Sequence, residues 1–438
     1  VTKGLVIAAP ATGSGKTTLT LGLLRAFSRQ GVAVASTKAG PDYIDPAFHA
    51  AASLRPCFSL DGWAMRPVTL SALAARAAEG AELLIAEGVM GLFDGAMVAS
   101  GSDGSTADLA ASLGLPVVLV VDVAGQAGSA AALVRGFASH RLDVRIAGVI
   151  WNRVGGPGHK AQLNDALSQA CPEIRVLGAV PKMAGLALPS RHLGLVQAGE
   201  HGDLEGYIEG AASLAAAHID LASLLSLAEP LKTGTGRAIP LPPLGRRIAV
   251  ARDQAFAFAY EATLEGWRAE GAETVFFSPL AGEGPDESAD AVYLPGGYPE
   301  LHIPRIAAGS GFIDGLRRAA ARGASIFGEC GGYMVLGQAL IDAEGRSQPM
   351  AGLLPLVTSF ERRKLHLGYR QVRLLAESPL GRAGGILRGH EFHYASIIEE
   401  GPGEALFSVC DAAGNPRENA GLVAGKTQGS FIHLIDRA

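Results

Sequence analysis

The chain has only four cysteines, Cys57, Cys171, Cys330 and Cys410, and no two of them form a CxxC pair. A disulfide framework or a zinc knuckle needs more numerous or closer thiols, so neither is expected, and a reducing, cytoplasmic setting fits. Basic charge is not in excess either. The 37 Lys and Arg stand against 42 Asp and Glu, for a formal net charge of -5. Such a balance offers no general attraction to phosphodiesters or to an anionic bilayer, which argues against nucleic acid and membrane as partners. No apolar run approaches membrane-spanning length, and the stretch from Leu5 to Pro10 is too short for a secretory core. The 58 glycines follow no collagen-like period or simple repeat, and they read as tight turns and close helix–sheet packing.

What is present points to an α/β protein with more than one core. At 438 residues, 48% hydrophobic and 18% charged, the chain exceeds the usual size of one compact domain. From Leu5 to Val180 short apolar runs (LVIAA, VAVAS, LLIAE, PVVLVVDV, IAGVIW, RVLGAV) alternate with Ala/Leu-rich stretches of helical length. This is the pattern of a mainly parallel sheet covered by helices, and ligands of such sheets gather beyond the carboxyl ends of the strands. Pro230, Pro240, Pro242 and Pro243 then resist both helix and central strand. RIAVARD, TVFFSP, AVYLPGG and SIFGEC restart the alternation after them. The expected organisation is a phosphate-loop domain over 1–229, a proline-rich linker over 230–246, and a second α/β domain over 247–438.

The segment APATGSGKTTL follows the first strand and opens a helix, where a phosphate-binding loop must sit. Backbone N–H groups around Gly13, Ser14 and Gly15 can cradle phosphates, with Lys16 supplying charge and Thr17 a hydroxyl for Mg²⁺; Thr18 completes the motif. Pro10 stands where GxxxxGK[ST] has its first glycine, which removes one backbone donor. Beyond later strands lie Asp42 and Asp45 in KAGPDYIDP, and Glu87 and Asp94 in EGVMGLFDG. One Asp in a loop ordinarily caps a helix or shapes a turn. Four acids at the edge where Mg-ATP must bind point collectively to metal and phosphate chemistry. Asn152 and Arg153, after IAGVIW, are placed to touch a purine base, although an asparagine turn reads almost as well. Ser190, Arg191 and His192 in ALPSRHLGL face either a ligand or solvent.

In the second half, SIFGECGGYMVLG sets Cys330 between a short apolar strand and a helix starting near Gly331. A nucleophile elbow requires this arrangement, because small neighbours permit a strained turn and the helix start offers N–H donors to an oxyanion. LPGGYPE supplies further donors at Gly296 and Gly297, and GSFIHL supplies His433 as a base. The other three cysteines read as small core residues.

LPGGYPE, GECGGY and GSFIHL, in that order, resemble the class I glutamine amidotransferases. APATGSGKTT, KAGPDYIDP and EGVMGLFDG resemble the dethiobiotin-synthetase-like amidoligases. Together with LGYR and GHEFHYAS, these motifs resemble the cobyrinic or hydrogenobyrinic acid a,c-diamide synthase family over nearly the whole chain.

The resemblance implies that Cys330 and His433 release ammonia from L-glutamine. It further implies that ATP and Mg²⁺ activate carboxylates of a tetrapyrrole (corrin) substrate as acyl phosphates. Thr17, Asp45 and Glu87 are then the expected metal ligands, and Asp42 and Asp94 are expected at the substrate. Assembly as a homodimer is left open.

One departure stands out, because many glutaminases of this class carry glutamate two residues after the histidine, where this chain has Ile435, followed by Asp436. His390, Glu391 and His393 in GHEFHYAS lack the HExxH spacing of a zinc helix, so a family-specific structural or interdomain role is expected for them. The competing readings are an amidase of another tetrapyrrole of the nickel-sirohydrochlorin type, a MinD/ParA-like ATPase switch, and a degenerate glutaminase serving as a scaffold. An elbow cysteine with a downstream histidine argues against the switch, and glutamate release would exclude the scaffold.

Overall fold

The structure, a computed structural model, describes residues 2–182, 190, 191, 194–234 and 236–438, with backbone alone at 190, 191, 194 and 195. By internal contacts the chain divides into two compact units. The first comprises Val1–Trp63, Leu70–Gly95 and Ser100–Arg237, and the second Ala64–Thr69, Ala96–Ala99 and Ala238–Ala438. The division cuts the proline-rich segment in two. Leu241 and Leu244, in its second half, are buried in the core of the second unit. No helix among the described residues is long and apolar enough to cross a membrane.

The first unit is built on β1 (Lys3–Ala8), β2 (Val34–Ala39), β3 (Phe58–Leu60), β4 (Leu83–Glu87), β5 (Val117–Asp122), β6 (Ile146–Val154) and β7 (Arg175–Pro181). They form one parallel sheet in the order β3-β2-β4-β1-β5-β6-β7, and the two-residue strand Glu229–Pro230 adds antiparallel to β1. The mainly parallel sheet expected from the alternation is therefore present. Its central strands are continuous apolar runs because helices cover both faces; all five residues of LLIAE in β4 are buried. The three-residue β3 escapes a periodicity reading because its run is too short. Helix α1 (Lys16–Arg29) follows β1, and α2 (Asp45–Ser53) follows β2. Register does the rest: Glu87 stands opposite Lys38 on one side and opposite Ile7 on the other.

The second unit carries β8 (Arg247–Ala251), β9 (Glu273–Phe277), β10 (Ala291–Leu294) and β11 (Ser325–Glu329), followed by α3 (Gly331–Leu336). Then come β12 (His366–Leu374), β13 (Ile386–His393), β14 (Glu404–Asp411), β15 (Pro416–Ala424), β16 (Thr427–Ser430) and β17 (Ile432–Arg437). The sheet order is β9-β8-β10-β11-β16-β15-β14-β12-β13-β17. The pairings from β9 through β8, β10 and β11 to β16 are parallel, whereas those from β16 onward to β17 are antiparallel.

Alternate residues serve opposite faces, as the period of two demands. Ala249, Ala251, Val292, Leu294 and Ile326 enter one core cluster, while Ile248, Val250, Tyr293 and Phe327 enter the other.

Candidate active site

In the first unit the glycine-rich loop expected to bind phosphate runs from β1 into α1. Gly13 and Gly15 have φ of 80° and 92°, a left-handed backbone that costs glycine little. A Cβ on Gly15 would also lie 2.4 Å from Nδ2 of Asn152, so this position admits no side chain. Lys16 donates to the carbonyl of Met90 at 2.6 Å, and burial, partly offset by Glu87, lowers its ammonium to about 8. Thr18 shares a hydrogen bond with the Tyr207 hydroxyl at 2.7 Å.

The acids beyond the strand ends separate into different tasks. Glu87 is fully buried; its Oε1 accepts from Thr17 Oγ1 at 2.6 Å and from Lys38 Nζ at 2.7 Å, and its Oε2 meets His49 Nε2 at 2.7 Å. Lys38 also pairs with Asp45 Oδ2 at 2.6 Å. Burial alone would raise the Glu87 carboxyl, but Lys38 and then His49 hold it well below the usual carboxylate range. Burial likewise opposes charge on Lys38, yet Asp45 and Glu87 lift it above the ordinary lysine value. For Asp45, burial and the neighbouring Asp42 prevail over Lys38 and push it up to about 6. Asp42 spends one oxygen on the turn that leads into α2, accepting from Ile44 N–H and Asp45 N–H at 2.8 and 2.9 Å. Asp94 accepts from Gly91 N–H at 2.8 Å and so shapes the loop after β4. Lys38 and His49 were not singled out from the sequence. A lysine on a strand whose six residues are all buried was the available signal for the first.

Asn152 ties its strand to the phosphate loop, donating to the Ser14 carbonyl at 2.8 Å and accepting from Arg153 N–H at 2.9 Å. Arg153, at φ 61°, donates to the Gly13 carbonyl at 3.0 Å and pairs with Asp122. These contacts hold the loop itself in shape. The backbone of Ser190 and Arg191 forms a short strand, and His192 lies outside the described residues.

His49 sets a pH signature. Burial disfavours its charged ring, but Cys57 and Glu87 together raise it to about 10. A raised folded-state value gives stability that is complete below the unfolded value near 6.5 and is lost as pH rises through about 10. Denaturant unfolding of the protein should show stability declining by about 5 kcal/mol between these limits. His49→Gln should flatten that decline, and an unchanged slope would show that another group carries it.

The second unit gathers Cys330, His433 and the glycines of LPGGYPE. Cys330 sits between β11 and α3 with φ 47° and ψ -104°, a conformation that a non-glycine residue adopts only where its surroundings enforce it. Its N–H donates to the Ser430 carbonyl at 2.8 Å and its carbonyl accepts from Met334 N–H at 3.1 Å. A Cβ on Gly296 would come 2.3 Å from Cε1 of His433 and 3.3 Å from Cβ of Cys330, so a side chain there would fill the space between thiol and imidazole. A Cβ on Gly331 would lie 3.1 Å from the nitrogen of Gly297, which places both glycines beside the elbow.

Burial, and then Glu300, push the Cys330 thiol well above its ordinary value, while the Gly331 N–H works the other way. Burial, with His390 and His393 adding to it, lowers His433 to about 3. At neutral pH the resting pair is thus thiol and neutral imidazole, which leaves the imidazole able to accept a proton.

The nearest carboxyl after His433 has another task. Asp436 is fully buried and accepts from Arg66 N–H at 2.8 Å, Nε at 3.1 Å and NH2 at 2.7 Å. His390 stands opposite His433 in the β13–β17 ladder. Glu391 pairs with Arg370 at 2.7 Å and with His393 at 2.9 Å. His393 stacks on Phe431 with centroids 3.8 Å apart, and ligating atoms of His366, Glu391 and His393 fall within 4.8 Å of one another. GHEFHYAS therefore packs against the strand that leads to His433.

The chain matches two family models, a CobQ/CobB/MinD/ParA nucleotide binding domain over residues 5–196 and a CobB/CobQ-like glutamine amidotransferase domain over residues 247–437. It is 58% identical to the hydrogenobyrinate a,c-diamide synthase of Brucella anthropi, covering 99% of this chain and 98% of that one. It is likewise 58% identical to the enzyme of that name from Rhizobium meliloti, with 99% of each chain covered, and 56% identical to that of Rhodobacter capsulatus, with 99% and 98% covered. At this level of identity over this length, with a nucleotide-binding half followed by a glutamine amidotransferase half, the chain belongs to the hydrogenobyrinate a,c-diamide synthase family.

Proposed function

We propose that this glutamine-dependent ligase converts the a and c acetate carboxylates of hydrogenobyrinic acid to primary amides, using ATP for activation. The observation that carries the reading is the presence of two separate reactive clusters. A basic and acidic cluster surrounds a phosphate loop in the first unit, and a strained buried cysteine stands beside a histidine in the second.

In the glutaminase reaction the sulfur of Cys330 attacks the side-chain amide carbon of glutamine, and His433 takes the thiol proton. N–H groups of Gly296, Gly297 and Gly331 are the candidates to stabilise the oxyanion. His433 returns the proton to the departing ammonia, which leaves a glutamyl thioester that water hydrolyses to glutamate.

In the ligase reaction a substrate carboxylate oxygen attacks the γ-phosphorus of ATP, giving an acyl phosphate and ADP. Ammonia then attacks the carbonyl carbon and inorganic phosphate leaves. Activation is needed because the oxygen of a carboxylate is a poor leaving group. Lys16 carries positive charge where the phosphates must lie, as phosphoryl transfer requires.

The oxygens of Thr17, Asp45 and Glu87 suit a hard cation, since the Lys38 ammonium already sits between the two carboxylates. These three would hold Mg²⁺, which offsets phosphate charge when bound. We assign Asp42 and Asp94 to the substrate side of the cluster, and Asn152 and Arg153 to the nucleotide side.

Purified protein incubated with Mg-ATP, glutamine and either hydrogenobyrinic or cobyrinic acid tests the substrate directly. Mass spectrometry should show two successive exchanges of OH for NH2 on the metal-free macrocycle. Product from cobyrinic acid alone would overturn that assignment.

A further inference from the structure

We propose that Glu329 is the positioning residue that sets His433 against Cys330, an inference that rests on the reading of those two as base and nucleophile. Glu329 ends β11, immediately before Cys330. It lies on the face of that strand shared with Phe327 and Tyr293, away from the core cluster that holds Cys330. Its Oε2 accepts from the Tyr293 hydroxyl at 2.7 Å and its Oε1 from Leu434 N–H at 3.0 Å. Leu434 is the residue next to His433.

Topology explains why such a link is needed. Along the sheet, five strands separate β11 from β17, and the backbone tie from the elbow, Cys330 N–H to the Ser430 carbonyl, reaches β16 and stops three residues short of His433. The pairing of β17 with β13 is moreover irregular at this point: Gly389 faces Leu434 while Arg388 faces Asp436, which leaves Ile435 as an extra residue. A bulge of this kind re-aims side chains and weakens local registration. The Glu329 carboxyl crosses the gap directly and pins the backbone beside the imidazole to the strand that ends in the thiol.

The carboxyl is also hard to account for otherwise. It is 1% exposed, held by Tyr293 and Leu434, and no ion pair to it occurs among the described residues. Burial raises it to about 7, against the two donors that hold it. An apolar residue would pack there at lower cost, because an unpaired buried carboxyl is destabilising. Asp436, the other carboxyl close in sequence to His433, is already engaged by Arg66.

Two near-isosteric variants of the full chain decide the matter. Glu329→Gln keeps an oxygen for Leu434 N–H and should retain glutamine hydrolysis within about threefold. Glu329→Asp keeps the charge but is one methylene too short to reach both donors. Its kcat for glutamate release should fall about 10- to 100-fold, with KM within about threefold and ammonium-supported amidation unchanged. A wild-type kcat in Glu329→Asp, or an equal loss in Glu329→Gln, overturns the proposal. So does loss of the thermal transition in both variants, which would mark a role in folding alone. Cys330→Ala is the control: continued glutamate release from it would instead discredit the reading of the nucleophile.

Discussion

Cys330→Ala is expected to bring glutamine-supported amidation to background, a loss of at least about 10³-fold, while amidation supported by added ammonium continues at its original rate. The substitution removes one sulfur from a residue that is 2% exposed, and the small side chain leaves the elbow between β11 and α3 intact. Nothing in His433 or the surrounding glycines can replace the lost nucleophile, since neutral imidazole and backbone N–H groups supply only proton transfer and oxyanion contacts. Added ammonium needs no thioester, only an activated carboxylate. Side-by-side assays with glutamine and with ammonium check the prediction, and equal loss with both donors would refute a division of labour between the two clusters.

Lys16→Ala should suppress both assays, each by about 10³-fold, because neither nitrogen source can react with a carboxylate that has not been phosphorylated. Lys16 opens α1 with its ammonium on the Met90 carbonyl, within the electrostatic reach of Glu87, Asp45 and Asp94. Below pH of about 8 it is charged, so it meets the phosphates as a cation at neutral pH. Glutamate release from glutamine is expected to continue in this variant, which distinguishes loss of activation from a general failure to fold. Full ATP-dependent turnover by Lys16→Ala would dispose of the phosphate-loop assignment.

The elements that could be read from sequence are those whose signal is local. GSGKTT between an apolar strand and a helix, and GECGGY between another such pair, carry their own context within about a dozen residues. The longer parallel strands buried on both faces were equally legible, because that burial leaves an uninterrupted apolar run such as VVLVV in β5. The antiparallel strands of the second unit, β12 to β15, were not. Their burial is patchy, as in the exposed start of β15, and the pattern blends into loop sequence.

Partnerships across strands were hidden for a different reason. Lys38 stands inside the quoted motif KAGPDYIDP, yet its pairing with Glu87 depends on β2 and β4 being neighbours in register. The same holds for Glu329 and Leu434, which are 105 residues apart. Asp436, close to His433 in sequence, has its carboxylate engaged by Arg66, a pairing 370 residues apart.

By itself, then, the sequence determined which chemical groups the protein owns and at which strand ends they stand, because glycine tolerance, apolar periodicity and helix starts are properties of adjacent residues. Only the tertiary structure decided which of those groups meet. Hydrogen bonds and ion pairs act over about 3 Å, and the separation that matters to them is set by sheet order and register rather than by distance along the chain.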